Sequence, residues 1–222
     1  MKKKRKLNII YEDKNIIVID KPAGLLTIST LKEKEKTLYH EVSDYIKRSN
    51  PKAKIFIINR LDRDTSGIVM FAKSKSIKYL YQNNWDLITT KRGYIAVVYG
   101  ILNDKKGTIR SYLKEDKNMM MYSSSDKRNG KLAITEYKVI KECKNFSMLN
   151  INIKTGRKNQ IRVHMKDINH PIVGDKKYGL KKDKQKRMML HMNELNIKNP
   201  KTGKVMIFIS SIPKIFDNFF SN

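Results

Sequence analysis

The chain has 222 residues, 40% of them hydrophobic, enough to bury a core and too many for a disordered protein. Lys and Arg number 48 against 21 Asp and Glu, and the resulting formal charge of +27 is the electrostatic signature of a polyanionic partner. The lone Cys143 excludes an intramolecular disulfide, His40, His164, His170 and His191 lack zinc-type spacing, and no apolar run approaches the ~18 residues of a membrane helix.

Nucleic acid leads over an anionic membrane as the partner, because no basic amphipathic helix with a large apolar face is evident. The start, Met1 to Lys6, is basic, but Glu12, Asp13 and Lys14 interrupt the apolar residues after it, so it makes no signal peptide. A soluble, cytoplasmic protein is expected. Ile9 to Tyr11 and Ile16 to Ile19 flank a polar turn and read as a hairpin, which Pro22 ends. Thr37 is a candidate N-cap for a helix carrying Leu38, Val42, Tyr45 and Ile46, with Pro51 beyond it. The runs Ile55 to Ile58 and Ile68 to Phe71 read as buried strands. Ser76 to Ile88 reads as one helix, with Ile77, Leu80, Tyr81, Trp85 and Ile88 on its core face.

Lys91-Arg92-Gly93 breaks that helix, and a strand runs from Tyr94 to Tyr99. Further strands are expected at Thr108 to Leu113, Leu132 to Ile140 and Phe146 to Ile153, with a basic loop from Lys114 to Gly130. Gln160 to Lys166 reads as a short helix, Met188 to Ile197 and Lys204 to Ile212 as the last strands, and Pro213 to Phe220 as a terminal helix. Many short strands with few helices predict an α+β fold with a large mixed, mostly antiparallel sheet, in a single domain over residues 1–222.

Between the two apolar runs lies Asn59-Arg60-Leu61-Asp62-Arg63-Asp64-Thr65-Ser66-Gly67. As a solvated turn this segment needs no function, since Asp64, Thr65, Ser66 and Gly67 supply turn chemistry. As a site, it offers a carboxylate among arginines on a rigid scaffold, where catalytic groups tend to lie. Three more segments place polar residues at the edge of apolar elements: Lys91 to Tyr94, Thr155 to His164 and His170 to Gly179.

Read in order, these segments resemble the RluA-type pseudouridine synthases, which isomerise uridine to pseudouridine in structured RNA. The likeness extends over Tyr11-Glu12-Asp13, Asp20 to Gly24, Arg60 to Gly67, Tyr94, Gly130-Lys131, Ala133, Thr135, Leu190-His191, Pro200, Thr202-Gly203 and Phe208. It implies the pseudouridine synthase fold, with an active-site cleft across the sheet. It further implies Asp62 as the catalytic aspartate, Arg162 as the arginine paired with it, and Tyr94 as the active-site tyrosine. The chemistry suits a carboxylate, which can attack C1′, stabilise charge there or remove a sugar proton, and it needs no metal or organic cofactor. Candidate RNA contacts are Arg60, Thr65, Ser66, Arg128, Lys131, Arg157, Lys158, Gln160, His164 and Leu190.

The chain departs from the family pattern at Asn59 and Asn199, where His is usual, and at Lys158-Asn159, where Thr-His is usual. Activity is expected to survive, because no step requires a histidine proton carrier. Many relatives carry an amino-terminal S4-type domain; about eight residues precede the first strand here, so no separate RNA-binding domain is expected. The partner is then ribosomal RNA or tRNA and the protein a monomer. The alternatives are a catalytically silent RNA-binding or ribosome-assembly factor on the same fold, and a nuclease holding a divalent ion on Asp62 and Asp64. Retention of Asp62, Tyr94 and Arg162 together argues against the first.

Overall fold

A computed structural model describes residues 6–31 and 33–221; the basic start, Met1 to Arg5, lies outside them. In chain order the elements are β1 (Ile9–Glu12), β2 (Ile16–Lys21), α1 (Leu38–Lys47), β3 (Phe56–Ile57), β4 (Ser66–Ala72), α2 (Lys75–Asn83) and α3 (Trp85–Ile88). There follow β5 (Thr89–Tyr99), β6 (Lys106–Glu115), β7 (Met121–Ser124), β8 (Lys131–Cys143), β9 (Phe146–Ile153), α4 (Gln160–Asp167), β10 (Leu190–Lys198) and β11 (Val205–Ile209), then a 3-10 turn at Lys214–Phe219. This is the expected α+β class, with mostly antiparallel strands and few helices. The chain forms two compact units, one of residues up to Thr90 with Glu194–Ser210, the other of Lys91–Asn193 with Ser211 onward.

In the first unit the Asp13 carboxylate accepts the N–H groups of Asn15 and Ile16, both at 2.7 Å, and so closes the β1–β2 hairpin. Ile16 to Ile19 of β2 and Ile68 to Ala72 of β4 are all buried. Unbroken burial along a strand means both of its faces are covered, which is why these segments read as continuous apolar runs. β2 pairs with β4 from Ile16 opposite Ala72 to Lys21 opposite Gly67. The anticipated strand Ile55–Ile58 shortens to the two residues of β3 on β4, although the Ile58 N–H still donates to Met70 O at 2.9 Å.

Thr37 caps α1 by accepting the His40 N–H at 3.2 Å, and Leu38, Val42 and Ile46 form the buried stripe. The single helix expected over Ser76–Ile88 is divided at Asn84. Its side chain donates to Leu80 O at 2.9 Å, satisfying the end of α2 before α3 restarts. From Glu194 on, β10 forms a hairpin with β11, and the Asn199 carboxamide oxygen accepts the N–H groups of Lys201 (2.9 Å) and Thr202 (3.3 Å) in the connecting turn.

The second unit is an antiparallel sheet in the order β5-β9-β8-β6-β7. Here β5 begins at Thr89 instead of Tyr94, so Lys91-Arg92-Gly93 lies inside the strand and breaks nothing. Arg92 is buried: its N–H donates to Asn152 Oδ1 at 3.2 Å and its guanidinium to the Lys154 carbonyl. The anticipated Lys114–Gly130 loop contains β7, whose four residues pair with the end of β6. One core gathers Ile95, Val97, Met148, Val173, Met189 and Phe216; a second holds Leu113, Met121, Ala133, Val163 and Tyr178. Val163 seats α4 in that second core. Among the described residues, no helix is long and apolar enough to cross a membrane.

Candidate active site

Asp62 lies in the turn between β3 and β4 and is half-buried, whereas Arg60, Arg63 and Asp64 beside it are exposed. The turn is pinned through its backbone. Thr65 N–H donates to Asp62 O at 3.3 Å, Gly24 N–H to Arg63 O at 2.9 Å, and the Arg63 Nε returns a bond to Gly24 O at 3.2 Å. Thr27 Oγ1 donates to Leu61 O at 2.7 Å and accepts the Leu61 N–H at 3.3 Å. The fully buried Lys21 donates from Nζ to Pro22 O (3.0 Å), Leu25 O (2.8 Å) and Arg63 O (3.0 Å). Three N–H donors thus meet three carbonyls, each such bond from a charged donor worth about 1.5–3 kcal/mol.

Thr27 is a structural partner outside the sequence motifs, and Lys21, inside the Asp20 to Gly24 motif, has an anchoring role that the motif alone does not reveal. The available signal was a lysine closing a mostly apolar strand directly before a proline. Asn59, one of the departures from the family pattern, donates to Ile68 O at 3.2 Å and accepts the Met70 N–H at 2.8 Å. Its amide therefore splices the turn to β4. A carboxylate carried on such a turn loses little conformational freedom when it meets a substrate.

In the second unit, Tyr94 sits in β5 opposite Ile151 of β9 and is largely buried. Arg162, on α4, makes a two-pronged pair with Asp175: Nε to Oδ2 and Nη2 to Oδ1, both at 2.7 Å, with the carboxylate fully buried. Burial pushes the Asp175 carboxyl up, but the Arg162 guanidinium and the N–H groups of Tyr178 and Lys177 outweigh it and hold the group below the usual carboxylate range. The same guanidinium lies 5.0 Å from the Tyr178 ring centre. Tyr178 in turn donates its hydroxyl proton to Asn159 Oδ1 at 3.2 Å. Asn159 takes φ +54°, a conformation that asparagine tolerates well, so this departure from the family pattern also serves the fold. Gly174 precedes Asp175 at φ +78°, where an added Cβ would collide with the Arg187 carbonyl.

The other anticipated RNA contacts divide by exposure. Arg128, Lys131, Arg157 and Lys158 are exposed basic residues around the start of β8 and the lead-in to α4. Arg128 is paired with Asp126, Lys158 with Glu115, and Arg157 Nε donates to Leu132 O at 2.9 Å. Thr65, Ser66 and Leu190 are buried. Gln160 and His164 are buried as well. His164 is 0% exposed, and Thr135 and Ser111 occupy its two ring nitrogens, while the Gln160 amide is consumed by Thr155, Arg157, Ile134 and Thr135.

Burial pushes the His164 imidazole down to about 4, the Asp167 charge opposing this only in part. The ring is neutral in the fold but takes a proton in the unfolded chain below about pH 6.5. Stability should therefore be complete above pH 6.5 and decline as pH falls towards 4, by up to about 3 kcal/mol. Urea unfolding at pH 7 and pH 4.5 checks this, with His164→Gln expected to flatten the difference; an equal decline in the variant refutes it.

The residues 15–167 match the family described as RNA pseudouridylate synthase. The chain is 40% identical over 222 residues to ribosomal large subunit pseudouridine synthase D of Borreliella burgdorferi, covering 96% of this chain and 68% of that protein. It is 34% identical to an uncharacterised RNA pseudouridine synthase of Mycoplasma genitalium over 91% of this chain and 66% of that one. With ribosomal large subunit pseudouridine synthase C of Buchnera aphidicola it shares 31% identity, over 96% and 70% of the two chains. It thus spans about two thirds of the length of these relatives. The human RNA pseudouridylate synthase domain containing 1 superposes with a TM-score of 0.77 at 21% identity, over 96% of this chain and 86% of that one, a likeness of fold. Match, identity and fold agree, and the chain belongs to the RNA pseudouridylate synthase family, isomerases that convert uridine to pseudouridine in RNA.

Proposed function

We propose that this chain isomerises uridine residues in ribosomal RNA, with Asp62 as the reacting carboxylate and Tyr94 and Arg162 serving the reaction. The observation that carries this reading is Asp62 itself, a half-buried carboxylate on a turn fixed by Lys21, Thr27 and Asn59 within an ordered series of family motifs. The N1–C1′ bond is cut, the uracil turned and its C5 joined to C1′; C5 gives up its proton and N1 gains one, so atoms and electrons balance without a co-reactant. A carboxylate can form a transient bond to C1′, stabilise positive charge there or take a sugar proton. The Tyr94 ring suits stacking on a flipped uracil, and its hydroxyl suits proton exchange.

Extracting a uridine from folded RNA costs a few kcal/mol of unstacking. The charge of +27 offsets that cost through phosphate attraction, which weakens steeply with salt. The names of two relatives, ribosomal large subunit synthases D and C, support large-subunit RNA as the substrate over tRNA. Ribosomal RNA as substrate supports a cytoplasmic location. Pseudouridine mapping of ribosomal RNA from cells with and without the gene provides the test. Loss of one or a few large-subunit sites is expected; an identical map in both, with altered tRNA sites, would overturn the assignment.

A further inference from the structure

The inward side of α4 carries side-chain hydrogen bonds that none of the roles above uses. Gln160 Oε1 accepts from the Arg157 N–H at 3.0 Å and from Thr155 Oγ1 at 2.8 Å. A backbone N–H can only donate, so the amide orientation is fixed and Nε2 is the donor side. That nitrogen donates to Ile134 O and to Thr135 Oγ1, each at 3.0 Å. Thr135 Oγ1 lies 2.9 Å from His164 Nδ1, and His164 Nε2 lies 3.0 Å from Ser111 Oγ. Ser111 Oγ is 2.8 Å from Ser123 Oγ, which donates to the Asp167 carboxylate.

Each hydroxyl has one proton to give, and counting protons sets the direction of every link. Ser123 gives its proton to the carboxylate, which only accepts. The Ser111–Ser123 bond therefore uses the Ser111 proton. Ser111 then has none for the imidazole, so Nε2 carries the ring proton and donates to Ser111. Nδ1 is left as an acceptor for the Thr135 proton, and Thr135 accepts from Gln160. The opposite ring tautomer would leave two hydroxyl oxygens facing each other at 2.8 Å with no proton between them.

The three α4 residues in this chain, Gln160, His164 and Asp167, follow i, i+4, i+7 spacing and so share one face of the helix. Through them the helix is tied to Ser111 of β6, Ser123 of β7 and Thr135 of β8. Arg162 lies between them on the same eight-residue helix. Apolar packing at Val163 is non-directional and would tolerate some rotation, whereas a chain of hydrogen bonds would not.

We infer that His164 is a positioning residue: as the central link of a one-way hydrogen-bond chain from Gln160 to Asp167, it fixes the rotation of α4 on β6, β7 and β8 and thereby the aim of Arg162. This rests on the proposed part of Arg162 in the uridine reaction. Misaiming a reacting group by about 1 Å can cost on the order of 10²-fold in rate.

Nitrogen-15 spectra of the histidine-labelled protein at pH 7 should show the Nε2–H tautomer for His164; an Nδ1–H tautomer overturns the chain. In single-turnover assays on ribosomal RNA, Ser111→Ala should slow pseudouridine formation about tenfold or more, with RNA affinity within about twofold of the parent. Thr135→Val should behave alike, while Thr135→Ser, which keeps the hydroxyl, should restore the parental rate and so separates lost aim from lost folding. A folded Ser111→Ala variant with the parental rate sinks the positioning role and leaves the proposed function standing. Absence of pseudouridine formation by the parent protein sinks the proposed function itself.

Discussion

Asp62→Asn is expected to lower pseudouridine formation by more than about 10³-fold, which corresponds to some 4 kcal/mol of transition-state stabilisation. Asparagine keeps the shape of the side chain but removes the charge that each candidate role of the carboxylate requires. The turn itself should persist. Its pins from Lys21, Thr27 and Gly24 reach backbone groups of Leu61 and Arg63, and Asn59 holds β4 independently. The thermal midpoint should accordingly move by no more than a few degrees. Affinity for RNA should hold or rise slightly, since losing a negative charge on a +27 chain favours phosphate contact. Filter binding and single-turnover kinetics on the same RNA separate the two effects. Turnover within tenfold of the parent would remove Asp62 from the chemistry and leave the proposed function without its central group.

Strands whose burial is continuous or alternating were legible in the sequence, because their side chains carry the period. Phe146–Ile153 forms β9 with the anticipated ends, and the β1–β2 hairpin follows from Asp13 at its turn. Thr37 as an N-cap was equally legible, being a local hydrogen bond. Elements set by distant partners were not. Lys91-Arg92-Gly93 looks like a break, yet it continues β5 because Asn152 and the Lys154 carbonyl satisfy Arg92 from β9 and just beyond. β7 has four residues with a single buried side chain, Met121, too few to register a period. Within the candidate site, the motif residues could be located but not their partners. Nothing local says that Lys21 reaches back to Arg63 O, that Asp175 receives Arg162, or that His164 turns inward. Asn59, Asn159 and Asn199 read as departures from a family pattern, and each makes side-chain bonds that hold a turn or a strand in place.

Asp175→Asn should be the most damaging change at a position outside the anticipated site residues. The carboxylate accepts from Arg162 twice and from the N–H groups of Lys177 (2.8 Å) and Tyr178 (3.0 Å), four donors in all. An asparagine offers one oxygen and turns an NH₂ towards groups that can only donate, and it removes the negative charge that Arg162 meets at 2.7 Å. Removing one partner of a buried ion pair costs about 3–5 kcal/mol, far above the ~0–1 kcal/mol of an exposed pair. A loss of about 3 kcal/mol in unfolding free energy is therefore expected at pH 7. The difference should shrink under acid. The native Asp175 carboxyl is held below its ordinary value, so its contribution is complete above about pH 4 and is lost as pH falls through the depressed native value. Arg162 would also lose the two bonds it donates to the carboxylate, while the Tyr178 ring would still lie at its face. Catalysis should then suffer in kcat more than in KM, by about 10–100-fold, because the misplacement acts on the reacting groups and not on the phosphate contacts. Urea unfolding across pH 3–7, together with single-turnover rates at saturating RNA, reads both effects. A stable variant with parental kcat would show that Arg162 finds its working geometry without Asp175.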